Sequence, residues 1–327
     1  MADGTMATVD VRDRRSAALI ALGRALREVG YAFVTVTPET HRRVTARAAA
    51  SGRSSASSLR DVFGWSRPFE PSLLPPPMMD LARAAGIIED GALLRSRVRF
   101  SSIGERLFVH SAYPTTAADA VFFGPDTYRY CDLIADETKR GGRAARVVDV
   151  GCGSGAGGII AAQHADQIVL ADINGGALAY ARVNAALAGI EDRVEIVESD
   201  VLREVSGPID LVIANPPYMV DPASRAYRDG GGSFGEALAV RIAREALSRL
   251  EPGGRLVLYT GAAVVDGVDT FLRAVRDVCT EARAEWHYRE IDPDVFGEEI
   301  EQNDAYARVE RIAAVALIAT AARQALA

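Results

Sequence analysis

The 327-residue chain has only three cysteines and four histidines. Cys131, Cys152 and Cys279 are odd in number and widely spaced, which excludes a disulfide framework and a thiolate zinc site. His41, His110, His164 and His287 lack the spacing of metal ligands, and none adjoins a nucleophile, so no metal is expected. Residues 1–13 are polar, without the apolar core of a secretory signal, and the apolar run at 312–322 is too short to span a bilayer. A cytoplasmic protein with no membrane partner is expected, with that run as a buried strand. What remains, 49% hydrophobic and 25% charged, is a globular chain long enough for two cores.

Charge is uneven. Residues 1–112 carry 16 Arg against 11 Asp and Glu, a net +5, while residues 113–327 carry a net −12. An anionic partner docking on the basic part would suit this division, but so small an excess also fits scattered surface arginines. Residues 15–29 place Leu19, Leu22, Leu26 and Val29 at helical spacing, and further helices are expected over 38–50, 57–65 and 78–88. Residues 93–100 and 105–111 look like two strands joined at 101–104. Helices followed by a hairpin suggest a winged-helix-like domain over 1–112, for substrate docking or dimerisation. Phe63, Trp65, Phe69 and Phe100 line either its small core or a recognition surface, and the shortage of other large apolar residues favours the core.

The rest of the chain, 113–327, is organised around Val147-Val148-Asp149-Val150-Gly151-Cys152-Gly153-Ser154-Gly155. A buried strand breaks into glycines that let the backbone lie against a ligand, and residues 156–163 then start a helix, an arrangement that binds nucleotides. A dinucleotide fingerprint needs G-x-G-x-x-G, whereas Gly151, Gly153 and Gly155 alternate, although Gly158 completes a match from Gly153. Asp149 would repel a pyrophosphate but could hold a cationic group. Asp172, closing a second strand, lies 21 positions after Gly151, close to the spacing at which an acid meets ribose hydroxyls. A third strand, 194–197, leads to Ser199-Asp200-Val201, where Asp200 is either a ligand or a helix N-cap.

The fourth strand, 209–214, runs into Asn215-Pro216-Pro217-Tyr218. Two prolines take the backbone out of the sheet with a fixed shape. The Asn215 side chain and the Pro216 carbonyl offer two acceptors for the hydrogens of a planar NH2 group, and Tyr218 offers a face to stack on the attached π-system. The amino nitrogen, poor as a nucleophile because its lone pair is delocalised, is made available by position and polarisation.

Residues 149–155 resemble the D-x-G-x-G-x-G motif of class I S-adenosyl-L-methionine (SAM)-dependent methyltransferases. Asn215 to Tyr218 match the N-P-P-Y signature of the amino-methyltransferases that modify adenine, guanine or a glutamine amide. The resemblance, which extends to the release-factor glutamine methyltransferases and their small-domain relatives, covers about 113–327. It implies an α/β fold with a Rossmann-like seven-stranded sheet. It implies SAM held by Asp149, Gly151, Cys152, Gly153, Gly155, Asp172, Ile173, Asp200, Val201 and Asn215, with Ile173 packed on adenine and Asp200 near the adenine amino group. Asn215, Pro216, Pro217 and Tyr218 would be catalytic. Asp126 and Thr127 in the preceding loop, and Asp229 in the acid-and-glycine stretch 228–232, would lie on the substrate side; Asp126 or Thr127 could equally cap a helix over 128–139. The chain departs from that family's P-R-P-E-T-E sequence at this loop. The acidic residues of an insertion at 292–308 suit either a lid over a cationic substrate or a solvated loop.

The implied activity is transfer of a methyl group to a planar nitrogen. A protein glutamine is the expected substrate and a nucleobase amino group in RNA or DNA the alternative. A different class of reading, a SAM-sensing regulator that binds nucleic acid through residues 1–112, has no need of the Asn215 clamp.

Overall fold

Parallel strands buried on both faces read as near-continuous apolar runs, and Val147–Val150, broken only by Asp149, and Leu211–Ala214 build the centre of a sheet of that kind. The computed structural model describes residues 4–115, 117–221, 225 and 227–323. It divides into two compact units. One comprises residues 1–128 and 179–191, the other 129–178 and 192–327, so the first unit extends past the boundary expected at 112.

The first unit contains α1 (Gly4–Glu28), α2 (Pro38–Ala50), α3 (Leu59–Phe63), α4 (Pro76–Ala84) and two antiparallel ribbons. These are β1 (Ile88–Glu89) with β2 (Arg95–Ser96), and β3 (Val98–Ile103) with β4 (Arg106–Ser111). The second hairpin turns at Gly104 and Glu105, so Ser101 lies inside β3 rather than in the turn. Leu22, Leu26, Phe63, Phe69 and Phe100 are fully buried in one core, which answers the question of those aromatics, with Trp65 packed at its margin. Val183 and Leu187, from the 179–191 segment, join the same core. Asn184 of that segment accepts from the Val109 amide at 2.8 Å and donates to its carbonyl at 2.9 Å, closing the free side of β4 as a strand would.

The chain continues through α5 (Pro125–Gly141), β5 (Ala144–Val150), α6 (Ala156–Ala161), β6 (Ala165–Asp172), α7 (Gly175–Ala188) and β7 (Val194–Glu198). Then follow β8 (Leu211–Ala214), α8 (Ala237–Arg249), β9 (Arg255–Val265), β10 (Val268–Asp269), α9 (Thr270–Glu281), β11 (Glu285–Asp292), α10 (Gly297–Gln302) and β12 (Val309–Thr320). The main sheet of the second unit has the order β11-β12-β9-β8-β5-β6-β7, with the short β10 added against the end of β9. Five strands pair in parallel, and β12 enters antiparallel between β9 and β11, so that β11 runs in the same direction as the five. This is the Rossmann-like seven-stranded sheet that the sequence implied. The chain leaves β5 for β6 on one side and later returns to β8 on the other, so a topological switch point lies at the carboxyl end of β5, where open α/β sheets bind their ligands. No helix among the described residues is long and apolar enough to cross a membrane.

Candidate active site

Sheet register brings the predicted residues to one edge. Val150 pairs with Ala171 on one side and Ala214 on the other, so the glycine turn, Asp172 and Asn215 leave three adjacent strands at the same end. Asp172 in turn pairs with Glu198, which places Ser199 to Val201 beyond β7 along the same edge.

The turn after β5 depends on its glycines. Gly151, Gly153 and Gly155 have φ of 65°, 53° and 79°, the left-handed region that β-carbons disfavour. The space a Gly151 side chain would occupy is open, leaving backbone exposed to a ligand. Asp172 is tied into this turn: its Oδ2 accepts from the Gly153 amide at 2.8 Å and its Oδ1 from the Asn174 amide at 2.9 Å. Burial raises its pKa, against the pull of those amides. Ile173 beside it is 62% exposed, an apolar side chain standing in the open next to a carboxylate. Cys152 is buried, and its amide donates to the Ala171 carbonyl.

Asp149 faces inward. Its Oδ1 accepts from the Tyr130 hydroxyl at 2.9 Å and its Oδ2 from the Gly158 amide at 2.7 Å, so it ties α5 to the first turn of α6 and does not lie open to a cationic group. Gly157 and Gly158 make this approach possible, since β-carbons there would lie 2.4 Å from the Tyr130 ring and 2.3 Å from Leu170. Burial pushes the Asp149 carboxyl up to about 7, although both hydrogen bonds favour its charged form.

Asp200 caps no helix, because only a turn follows it, and Ser199 Oγ accepts the Glu204 amide there. The Asp200 carboxylate instead takes a bidentate pair from Arg241 of α8, at 2.8 and 2.9 Å, which holds it below the usual carboxylate range. Val201 adopts φ 57° and turns its side chain into the core beneath the sheet.

The Asn215–Tyr218 corner is held by close backbone packing. Asn215 is half-buried, and its side chain makes no hydrogen bond to another described residue; no backbone amide among them donates to the Pro216 carbonyl. The Tyr218 ring lies on Gly261 of β9, where a β-carbon would come within 2.2 Å of it, and meets Phe296 edge-on at 6.1 Å. A β-carbon at Gly230 would lie 2.6 Å from the Pro217 carbonyl oxygen, and one at Gly235, whose φ is 92°, 2.0 Å from the Tyr218 carbonyl oxygen. Asp229 Oδ1 accepts from the Gly231 amide, so this candidate shapes the glycine stretch.

The insertion at 292–308 is neither an open lid nor a bare loop. It folds into α10 and a 3-10 turn, Asp304–Tyr306, that brace the segment after Tyr218. Tyr306 is buried and its Oη accepts from the Val220 amide at 2.8 Å, Asn303 donates to the Val220 carbonyl at 2.8 Å, and Glu299 pairs with Arg228 at 2.5 Å. Asp292 pairs with Arg129 at 2.7 Å.

Asp126 and Thr127 belong to the first unit. They lie inside the first turn of α5, which starts at Pro125, and Thr127 Oγ1 accepts from the Gly124 amide, as a residue three places into a helix does in a capping box. Sequence reading missed Tyr130, Arg241, Phe296 and Tyr306. Only Gly261 left a trace, as an isolated glycine in a strand of apolar residues, the usual mark of a close approach.

Residues 132–283 match the methyltransferase small domain family. The chain is 34% identical over 191 residues to the release factor glutamine methyltransferase of Deinococcus radiodurans, a match spanning 57% of this chain and 66% of that protein. Over 117 residues it is 36% identical to the ribosomal RNA small subunit methyltransferase C of Chromohalobacter salexigens, spanning 36% of this chain and 32% of that one. Over 134 residues it is 32% identical to the tRNA1(Val) (adenine(37)-N6)-methyltransferase of Aeromonas hydrophila subsp. hydrophila, spanning 38% and 55%. The chain thus covers less than two thirds of the length of each of these relatives.

Proposed function

We propose that this chain, whose carboxy-terminal part belongs to the class I SAM-dependent methyltransferases of the small-domain family, methylates a planar nitrogen, the side-chain amide of a glutamine in a protein. One observation carries the reading. The Asn215–Tyr218 corner leaves the sheet beside the glycine turn, with the Asn215 amide unengaged and the backbone around it locked by Gly230, Gly235 and Gly261. An apolar Ile173 standing exposed beside the Asp172 carboxylate, and open space over Gly151, fit an adenosine moiety.

Bound SAM supplies an electrophilic methyl group on a sulfonium. Asp172 accepts from ribose hydroxyls, Ile173 covers adenine, and the backbone of Gly151 to Gly155 lies against the remainder. Asp200 and Val201 bound that edge through their backbone, since their side chains are committed to Arg241 and to the core. Asn215 Oδ1 and the Pro216 carbonyl accept the two hydrogens of the substrate NH2, which fixes its plane and turns the lone pair out of conjugation towards the methyl donor. Tyr218, braced by Gly261 and Phe296, forms a fixed wall for the π-system. The departing proton passes to water, because an amide nitrogen bearing a fourth substituent is strongly acidic. Residues 1–112 serve as the docking or dimerisation module.

A protein substrate is favoured over nucleic acid by the net −12 of residues 113–327, since a nucleic-acid groove needs excess cations. The test is transfer of radiolabelled methyl from SAM in a lysate lacking this protein, followed by separation of protein, RNA, DNA and small molecules. Label in protein, lost with Asn215→Ala, supports the proposal; label in RNA or DNA moves the substrate to a nucleobase. No label from protein shown to bind SAM overturns the activity.

A further inference from the structure

The amino-terminal unit contains a pocket that methyl transfer leaves unused. Thr35, Pro38, His41, Arg99, His110 and Tyr113 contribute to its lining, and it has room for about one water-sized group. Arg99, from β3, is 3% exposed. Its Nε donates to the Gly64 carbonyl at 2.7 Å, and its guanidinium stands 5.3 Å from the centre of the Phe33 ring. Its Nη2 has no hydrogen-bond partner. No carboxylate pairs with it among the described residues; the ionisable groups that act on it, Tyr31, Tyr128 and Tyr113, are phenols. Asp61, from α3, is committed to Arg67 at 3.1 Å.

His41 makes a second, independent case. It is 6% exposed in the first turn of α2, its ring packs on Tyr113 at 4.4 Å, and its Nδ1 has no partner either. Burial and the Arg99 charge lower its pKa to about 4, so it is neutral at pH 7 and can turn an Nδ1–H to the pocket. His110, by contrast, is satisfied. Its ring lies between Ser101 Oγ, 2.8 Å from Nε2, and the Ser111 carbonyl, 3.0 Å from Nδ1, which fixes the Nδ1–H tautomer. Pro38 of the lining is the first residue of the 13-residue α2, whose amino end adds positive potential.

A buried cation without a counter-ion and a buried ring nitrogen without a hydrogen-bond partner each destabilise a fold, and here both line one cavity. We propose that this pocket binds one small anion, a halide or one oxygen of a single carboxylate group, received by Arg99 Nη2 and His41 Nδ1–H at the amino end of α2. Arg99 Nε is already spent on Gly64, so the contact is to one atom and not a two-pronged clasp.

The experiment is thermal unfolding of the full chain at constant ionic strength in sodium chloride, sodium formate or sodium methanesulfonate. Chloride or formate is expected to raise the melting temperature by a few degrees, saturably, over methanesulfonate. The anion with the lower saturating concentration identifies the source. Arg99→Met is expected to abolish that rise and, in methanesulfonate, to be at least as stable as the wild type, since an unpaired buried charge has gone. A purely structural Arg99 gives the opposite pattern, with no anion-specific rise in the wild type or the same rise in the variant, and either overturns the proposal. Should Arg99→Met fail to fold, a bromide-soaked crystal of the wild type decides: an anomalous peak beside Arg99 Nη2 and His41 Nδ1 supports the site, and an empty pocket overturns it.

Discussion

The glycine turn after β5 and the corner after β8 sit on neighbouring strands, and different forces hold them. On the turn side, carboxylates do the holding: Asp172 gathers the Gly153 and Asn174 amides, and Asp149 gathers the Gly158 amide and the Tyr130 hydroxyl. On the corner side, contact does: three glycines let backbone and the Tyr218 ring touch, and Phe296, Asn303 and Tyr306 close over the following segment. Hydrogen bonds to charged groups tolerate small displacements and respond to pH, whereas a contact already at van der Waals distance does neither. The turn suits a cofactor that must enter and leave, and the corner suits a nitrogen that must be held to a fraction of an ångström.

The largest effect expected is at the corner itself. Asn215→Ala removes one of two acceptors and should lower single-turnover methyl transfer by about 10²- to 10⁴-fold, with SAM affinity by calorimetry unchanged. Gly261→Ala tests the contact argument without touching a polar group. Its β-carbon displaces the Tyr218 ring, and turnover should fall on the order of 10²-fold while SAM affinity again holds. Unimpaired turnover in this variant breaks the comparison. Asp172→Ala should do the reverse, weakening SAM binding by about 10- to 100-fold, the worth of charge-assisted hydrogen bonds, with a smaller change in turnover at saturating SAM. Weakened turnover with unaltered binding would show that the two halves are not separable.

Which of these features the sequence disclosed follows from the range over which each is encoded. Residues 38–50 were read correctly because the signals are local: Thr37 caps, Pro38 sits in the first turn, and Thr37 Oγ1 accepts from the Thr40 amide as that pattern requires. The apolar run at 312–322 was likewise plain as a strand, because a run of that length needs a buried slot, and β12, Val309–Thr320, finds one between β9 and β11. The glycine turn was legible because left-handed backbone needs glycine where it occurs. The pairing of Asp200 was hidden because its partner, Arg241, lies 41 positions away and contributes only an arginine on a helix. The carboxyl end of β9 is hidden for another reason: Gly261-Ala262-Ala263 has no β-branched signature, and pairing with β12, not propensity, extends the strand there. The brace at 292–308 was hidden because acidic composition does not separate the exposed Asp294, Glu301 and Asp304 from Glu299, which joins Phe296, Asn303 and Tyr306 in holding the neighbouring chain.

Asp149 gives the smallest effect and the sharpest sign. Its carboxyl, buried and raised to about 7, holds its proton in the folded chain at a pH where the unfolded chain, with an ordinary carboxyl near 4, has released it. The folded state therefore binds more protons between those two values, and stability falls as pH rises through that window, then levels off above it. Asp149→Asn cannot titrate. Its Oδ1 can keep the Gly158 amide and its Nδ2 can donate to a Tyr130 hydroxyl that has turned to accept, so the fold survives and the slope between pH 4 and 7 should flatten. Above pH 7 the variant should be the more stable by about 1 kcal/mol, less than the full linkage because a buried amide carries its own desolvation cost. Denaturant midpoints measured across that range decide the matter. A slope that persists in the variant means that another buried acid carries it, and Asp172, in the same turn and also raised by burial, is the one to replace next.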